Sequence, residues 1–155
     1  MSFIQILPEG GLTAIHGSAM TKVGVLHQDD SGNIYRYVKN AAASATLANG
    51  NVVCPTTTQW EITVDYSDAV TKKAAGIAIS ALTVSTFGWI LVDGKHSAVW
   101  TDAGVAAGDG LVAHSVDGEA DSLVTTTENH LVFGFAETAD TTTDQHTVAA
   151  IIQCL

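Results

Sequence analysis

Positive charge is scarce in this chain. Its 155 residues hold six lysines and arginines against sixteen aspartates and glutamates, for a net charge of −10. All six cations (Lys22, Arg36, Lys39, Lys72, Lys73 and Lys95) fall in the first 95 positions, and residues 96–155 hold nine acids with no lysine or arginine. An acidic surface of this kind repels phosphate and disfavours nucleic-acid binding. Charge of either sign is thin, at 14% of residues against about 25% in an ordinary globular chain. With 46% of residues apolar, so few charges suggest that another protein covers part of the surface. A coat of Ser, Thr and Asn is the plain alternative.

Cysteine is nearly absent. Cys54 and Cys154 stand far apart and alone, which excludes a disulfide framework and a structural zinc motif. Free buried thiols in a reducing cytoplasm are expected. No apolar run approaches the roughly 18 residues of a membrane helix, so no membrane contact is expected. The opening Met1-Ser2-Phe3-Ile4-Gln5 has no basic region and no long apolar stretch, so no secretory signal is expected.

Catalytic spacing is missing as well. None of the six histidines forms an H-x-H or H-x-x-x-H pair that would set two ligands on one face. His16-Gly17-Ser18-Ala19-Met20 begins like a nucleophile elbow, but Met20 stands where the second glycine is needed. Asp29-Asp30-Ser31-Gly32-Asn33 is dense in oxygen but lacks the order and closing glutamate of a calcium loop, so it reads as a turn. Gly104, Gly108 and Gly110 match no phosphate cradle. Glu119 and Asp121 have no second acidic pair to face. No cofactor, metal or enzymatic activity is expected.

What the chain does hold is strand grammar. Residues 34–39 and 60–65 alternate apolar with polar at period two. Residues 23–26, 76–79, 87–92, 97–100, 111–116, 131–136 and 147–154 read as further strands, and Val52-Val53 opens another. Asp93-Gly94 is a hairpin signal between two of them. Residues 67–75 are the one plausible helical turn, with Asp68 near its start and Lys72-Lys73 near its end as the helix dipole prefers. Eight or nine short strands punctuated by turns predict an all-β domain, a compact barrel or sandwich of the β-tulip or jelly-roll kind. Residues 21–155 would form that single domain, and residues 1–20, with Pro8, Gly10, Gly11 and Gly17, an extended N-terminal arm. The arm's apolar tip, Phe3, Ile4, Ile6 and Leu7, pairs either with its own domain or with a neighbouring subunit. Tyr35, Tyr37, Trp60 and Trp100 lie in the more polar strands, where large amphipathic rings serve as interface anchors or as a carbohydrate platform.

Three motif groups carry a family resemblance. The first is Gly32-Asn33-Ile34-Tyr35-Arg36-Tyr37-Val38-Lys39-Asn40, followed by an alanine-rich stretch and Leu47-Ala48-Asn49-Gly50-Asn51-Val52-Val53. The second is Ala75-Gly76-Ile77-Ala78-Ile79 leading to Phe87-Gly88-Trp89-Ile90-Leu91-Val92-Asp93-Gly94. The third is Ala103-Gly104-Val105-Ala106-Ala107-Gly108-Asp109-Gly110-Leu111-Val112 with Phe133-Gly134-Phe135-Ala136-Glu137-Thr138-Ala139 and the apolar C-terminal strand. In order and spacing the chain resembles the head decoration, or capsid cement, proteins of tailed bacteriophages. The resemblance implies a β-rich structural protein, often a homotrimer. Its partners would be the major capsid protein and its own copies. It would be made in the host cytoplasm and placed on the outer capsid surface of the virion, where it stabilises the shell. Another virion part (fibre, spike or tail protein) and a carbohydrate-binding module are the competing expectations.

Overall fold

The computed structural model describes residues 10–41, 43–67, 69, 72–123, 130–140 and 146–155. Stretches that are apolar at every position, rather than every second one, become strands with protein on both faces. Val52-Val53-Cys54, Gly76-Ile77-Ala78 and Trp89-Ile90-Leu91-Val92 are such stretches, and every one of these residues is buried. They lie in β3 (Val52–Pro55), β5 (Gly76–Ala78) and β6 (Phe87–Thr101), which sit side by side in that order. Alternation along each strand sends Val53, Ala78, Ile90 and Val92 into one core and Val52, Cys54, Ile77 and Leu91 into another. The β3-β5-β6 sheet is a wall shared by two cores.

The remaining strands are β1 (Leu26–Gln28), β2 (Ile34–Asn40), β4 (Glu61–Thr63), β7 (Gly110–Ala113), β8 (Ala120–Ser122), β9 (Gly134–Ala136) and β10 (His146–Gln153). Their order is β1-β2-β4-β3-β5-β6-β10-β9-β7-β8, with further pairings of β2 to β6 and β6 to β8. The pairing therefore closes twice on β6. One ring runs β2-β4-β3-β5-β6. The other runs β6-β10-β9-β7-β8 and returns to β6 through the parallel bridge of Thr101 to Ala120. The expected all-β barrel forms, with no α-helix among the described residues.

β6 departs most from expectation. Asp93-Gly94 is not a hairpin turn: one strand runs unbroken through residues 87–101. Its first half pairs with β2 and its second half with β10. Register slips opposite Ile34/Tyr35 and opposite Val148/Ala150 mark two bulges, which bend one strand around two rings. Gly94 supplies the positive φ of 123° at the first bend, and Asn33 fills the space beside it, its Oδ1 accepting the Lys95 N–H at 3.1 Å.

Other boundaries shift for local reasons. The strand expected from residue 23 begins at Leu26, because residues 22–25 turn first, with the Val25 N–H donating to the Lys22 carbonyl and Gly24 at φ 87°. The strand expected over 131–136 is confined to Gly134–Ala136. The described residues of the expected helical turn at 67–75 form bends rather than helix, and Asp68, Val70 and Thr71 lie outside the described residues. Of the expected arm, residues 10–20 pack on the body as a strap. His16 pairs with Phe87 through two backbone hydrogen bonds of 2.9 Å.

Candidate interface surfaces

Phe3, Ile4, Ile6 and Leu7 lie outside the described residues. The four aromatic candidates are described: Tyr37 is buried, and Tyr35, Trp60 and Trp100 are half-buried. Tyr37 is a correction: it is 0% exposed and presents no surface. Its ring packs 5.1 Å from Trp89 and 6.3 Å from Phe87, beneath the strap. Its hydroxyl accepts the Met20 N–H at 3.3 Å and shares a 2.9 Å hydrogen bond with His16 Nδ1. The polar look of β2 hid this, because the strap supplies the cover.

Trp60 sits half-buried where β2 hands over from β1 to β4. The Arg36 guanidinium lies 4.7 Å from its ring centre, and Gly24 leaves room for the ring, since a Cβ there would come within 2.5 Å of it. Trp60 holds a φ of 64°, which costs a bulky residue about 1–3 kcal/mol. Its ring must return that cost through packing. Trp100 lies near the opposite end of β6, half-buried over Gly50, with its Nε1–H donating to the Asn49 carbonyl at 2.9 Å.

Tyr35 is half-buried, and its hydroxyl donates to Asp29 Oδ2 at 3.0 Å. That carboxylate also accepts the backbone N–H groups of Ser31 and Asn33 and the Asn33 side-chain amide. The oxygens that gave this segment a calcium-like look thus fix a turn. Burial is the largest influence on Asp29 and would raise its pKa, but its hydrogen bonds from Asn33, Tyr35 and Ser31 together hold it below the ordinary value. Tyr35 is pushed up to about 12, first by burial and then by the hydrogen bond and charge of Asp29. In the unfolded chain a tyrosine ionises near ~10. The Tyr35 contribution to stability is therefore complete below that pH and is lost as pH rises from ~10 toward the folded value. Asp29→Asn is expected to bring the Tyr35 titration down toward the ordinary value, read by phenolate absorbance. An unmoved titration would show that Asp29 does not hold the proton.

The sequence reading missed a different set of side chains. Ile15, Met20 and Val84 are exposed by 43, 53 and 39%, and Val116, Phe135 and Leu155 by 47, 45 and 54%. Ile15 adjoins the His16–Phe87 pair, Met20 is tied to Tyr37, and Val84 lies in the turn closed by the Thr86 N–H to the Thr83 carbonyl just before β6. These three belong to the end of the molecule where β6 starts, whereas Val116 lies between β7 and β8 and Phe135 in β9, both in the second ring. The signal of the first three was an isolated apolar residue in a Gly/Ser-rich or Thr/Ser-rich segment. The described residues also line two open recesses. One of about 290 Å³ is lined by Ser44, Thr56, Thr57, Thr58, Glu61 and Thr63, among others. The other, of about 470 Å³, is lined by Lys72, Lys73, His130 and Leu131.

Among the described residues no group of three or more His, Cys, Asp and Glu is placed to hold a metal ion. His114 Nε2 lies 3.8 Å from Asp102, but its Nδ1 accepts the Val116 N–H, not a nucleophile's proton. Comparison with protein-family models and with curated proteins finds no match.

Proposed function

We propose that the chain is a structural virion protein that binds the outer surface of a phage capsid and stabilises the shell by bridging neighbouring capsid subunits. The observation that carries this reading is the exposure of large apolar side chains on a chain with few charges. Only 14% of residues are charged, while Ile15, Met20 and Val84 lie exposed toward the start of β6 and Val116 and Phe135 lie exposed in the second ring. Such side chains suit a protein partner, and the group near the start of β6 is the docking face tested below. The order of the strand motifs, which resembles that of head decoration proteins, points the same way. Homotrimers would multiply modest contacts through avidity. The carbohydrate reading needs exposed aromatics, and of Tyr35, Tyr37, Trp60 and Trp100 one is buried and three are half-buried, which favours the capsid reading.

The test is co-sedimentation with expanded heads built from the capsid protein encoded in the same genome. The native chain is expected to sediment with heads. A triple variant, Ile15→Glu, Met20→Glu and Val84→Glu, is expected to bind at least about tenfold more weakly, since losing a single well-packed interface anchor costs about 2 kcal/mol or more. Its fold should survive because all three side chains are exposed. Removing residues 1–10 should weaken binding further without unfolding the domain. Undiminished binding by the triple variant would place the docking face elsewhere, and no binding by the native chain would defeat the reading.

A further inference from the structure

Asn49-Gly50 is the chain's one Asn-Gly pair, the dipeptide in which a backbone nitrogen most easily reaches the preceding side-chain amide, because glycine has no Cβ to crowd the approach. We propose that Asn49 is a latent modification site, poised to close to a succinimide and open to aspartate or isoaspartate, and that the fold holds it unreacted by clamping the reacting groups at the seam between the two rings. In the reaction the Gly50 nitrogen bonds to Asn49 Cγ, the Cγ–Nδ2 bond breaks and ammonia leaves. Water then adds to either imide carbonyl. Nothing is oxidised or reduced.

The clamp engages every group that must move. The Gly50 N–H donates to the Ala78 carbonyl at 2.8 Å, so the nucleophile is occupied. Gly50 is held at φ 91°, with its Cα pressed toward the Ala98 carbonyl and the Trp100 ring. The Gly50 carbonyl accepts the Trp100 N–H at 3.0 Å, and the Asn49 carbonyl accepts Trp100 Nε1–H at 2.9 Å. On the side chain, Asn49 Oδ1 lies 3.2 Å from His96 Nε2. His96 Nδ1 accepts the Ala98 N–H at 3.2 Å, so the ring proton sits on Nε2 and points at the amide oxygen. Asn49 itself is exposed, leaving a path for water in and ammonia out. Geometry rather than access restrains the reaction. The His96 proton would also stabilise charge on the amide oxygen during ring closure, but only after the Gly50 nitrogen is released, so release from Ala78 sets the rate.

The consequence is structural. Isoaspartate adds a methylene to the backbone between residues 49 and 50. It would pull two carbonyls away from Trp100, and with them a contact between the first ring's β3–β5 side and the second half of β6.

The test follows mass gain and peptide maps of the full-length protein under mildly alkaline conditions, beside a free peptide spanning residues 45–55. Conversion at Asn49 is expected to be at least about tenfold slower in the folded protein, in step with the local opening that exposes the Gly50 amide. Trp100→Phe keeps the ring over Gly50 but removes the Nε1–H donor, and should raise the rate several-fold. Hydrogen exchange of the Gly50 amide in the native protein gives a second reading that needs no variant: its protection factor should match the slowing at Asn49. Conversion at the peptide's rate, or a protected Gly50 amide with fast conversion, would overturn the proposal.

Discussion

Replacing Asn40 by aspartate is expected to destabilise the chain by about 3–5 kcal/mol, the cost of a buried charge without a partner. Asn40 ends β2 and is 0% exposed. Its side-chain amide donates to the Ala45 and Leu82 carbonyls at 2.9 and 3.1 Å. Its backbone N–H donates to the Thr86 carbonyl, and its carbonyl accepts the Ser85 N–H. One residue thus ties two loops to the end of the first ring. Aspartate would set a carboxylate against two carbonyl oxygens. Asn40→Ala loses the same two hydrogen bonds without adding charge, and should cost about 2 kcal/mol as two buried carbonyls go unpaired. Among the described residues Asn40 Oδ1 has no hydrogen-bond partner, so the bonds lost are those of the nitrogen. Urea denaturation of the two variants checks the order. Aspartate tolerated as well as alanine would mean that the amide nitrogen does not make these bonds. Against a total stability of about 5–15 kcal/mol, the aspartate variant should be visibly unfolded or close to it.

The second large effect concerns the shared wall. Ile90 and Leu91 are neighbours in β6, 0 and 1% exposed, yet they face different cores. Ile90→Ala and Leu91→Ala should each cost about 2–5 kcal/mol, the transfer term plus the cavity left behind. Because β6 closes both rings, each variant should lower one common unfolding transition. If the rings were independent units, Ile90→Ala would move the transition of the first and leave the second in place. Calorimetry showing two transitions that shift separately would overturn the shared-wall account.

How far the sequence disclosed this depended on what each residue touches. Ile77, Ile90 and Leu91 were legible as buried strand because an apolar run with no polar alternation has only one use in a small β protein. Asp93-Gly94 was misread because the same dipeptide suits a turn and a bulge, and only the distant Asn33 decides between them. Tyr37 was misread because its cover is the strap around His16, some twenty positions away, and alternation within β2 carries no trace of it. β8 went unnoticed because Ala120-Asp121-Ser122 has no apolar side chain larger than alanine, and one bridge to Thr101 is its main link to β6. The exposed set at Ile15, Met20 and Val84 had no periodicity to betray it, since surface position depends on the fold of the chain around it.

A bridging protein that binds intact shells adds free energy that must be lost before subunits separate. The most direct measurement is heat-induced DNA release from filled heads that lack the protein, with and without the purified chain added back. Release at a higher temperature, saturating at a fixed ratio of chain to capsid subunit, is the result the capsid-binding account predicts. An unchanged release temperature with no chain bound to the heads would contradict it.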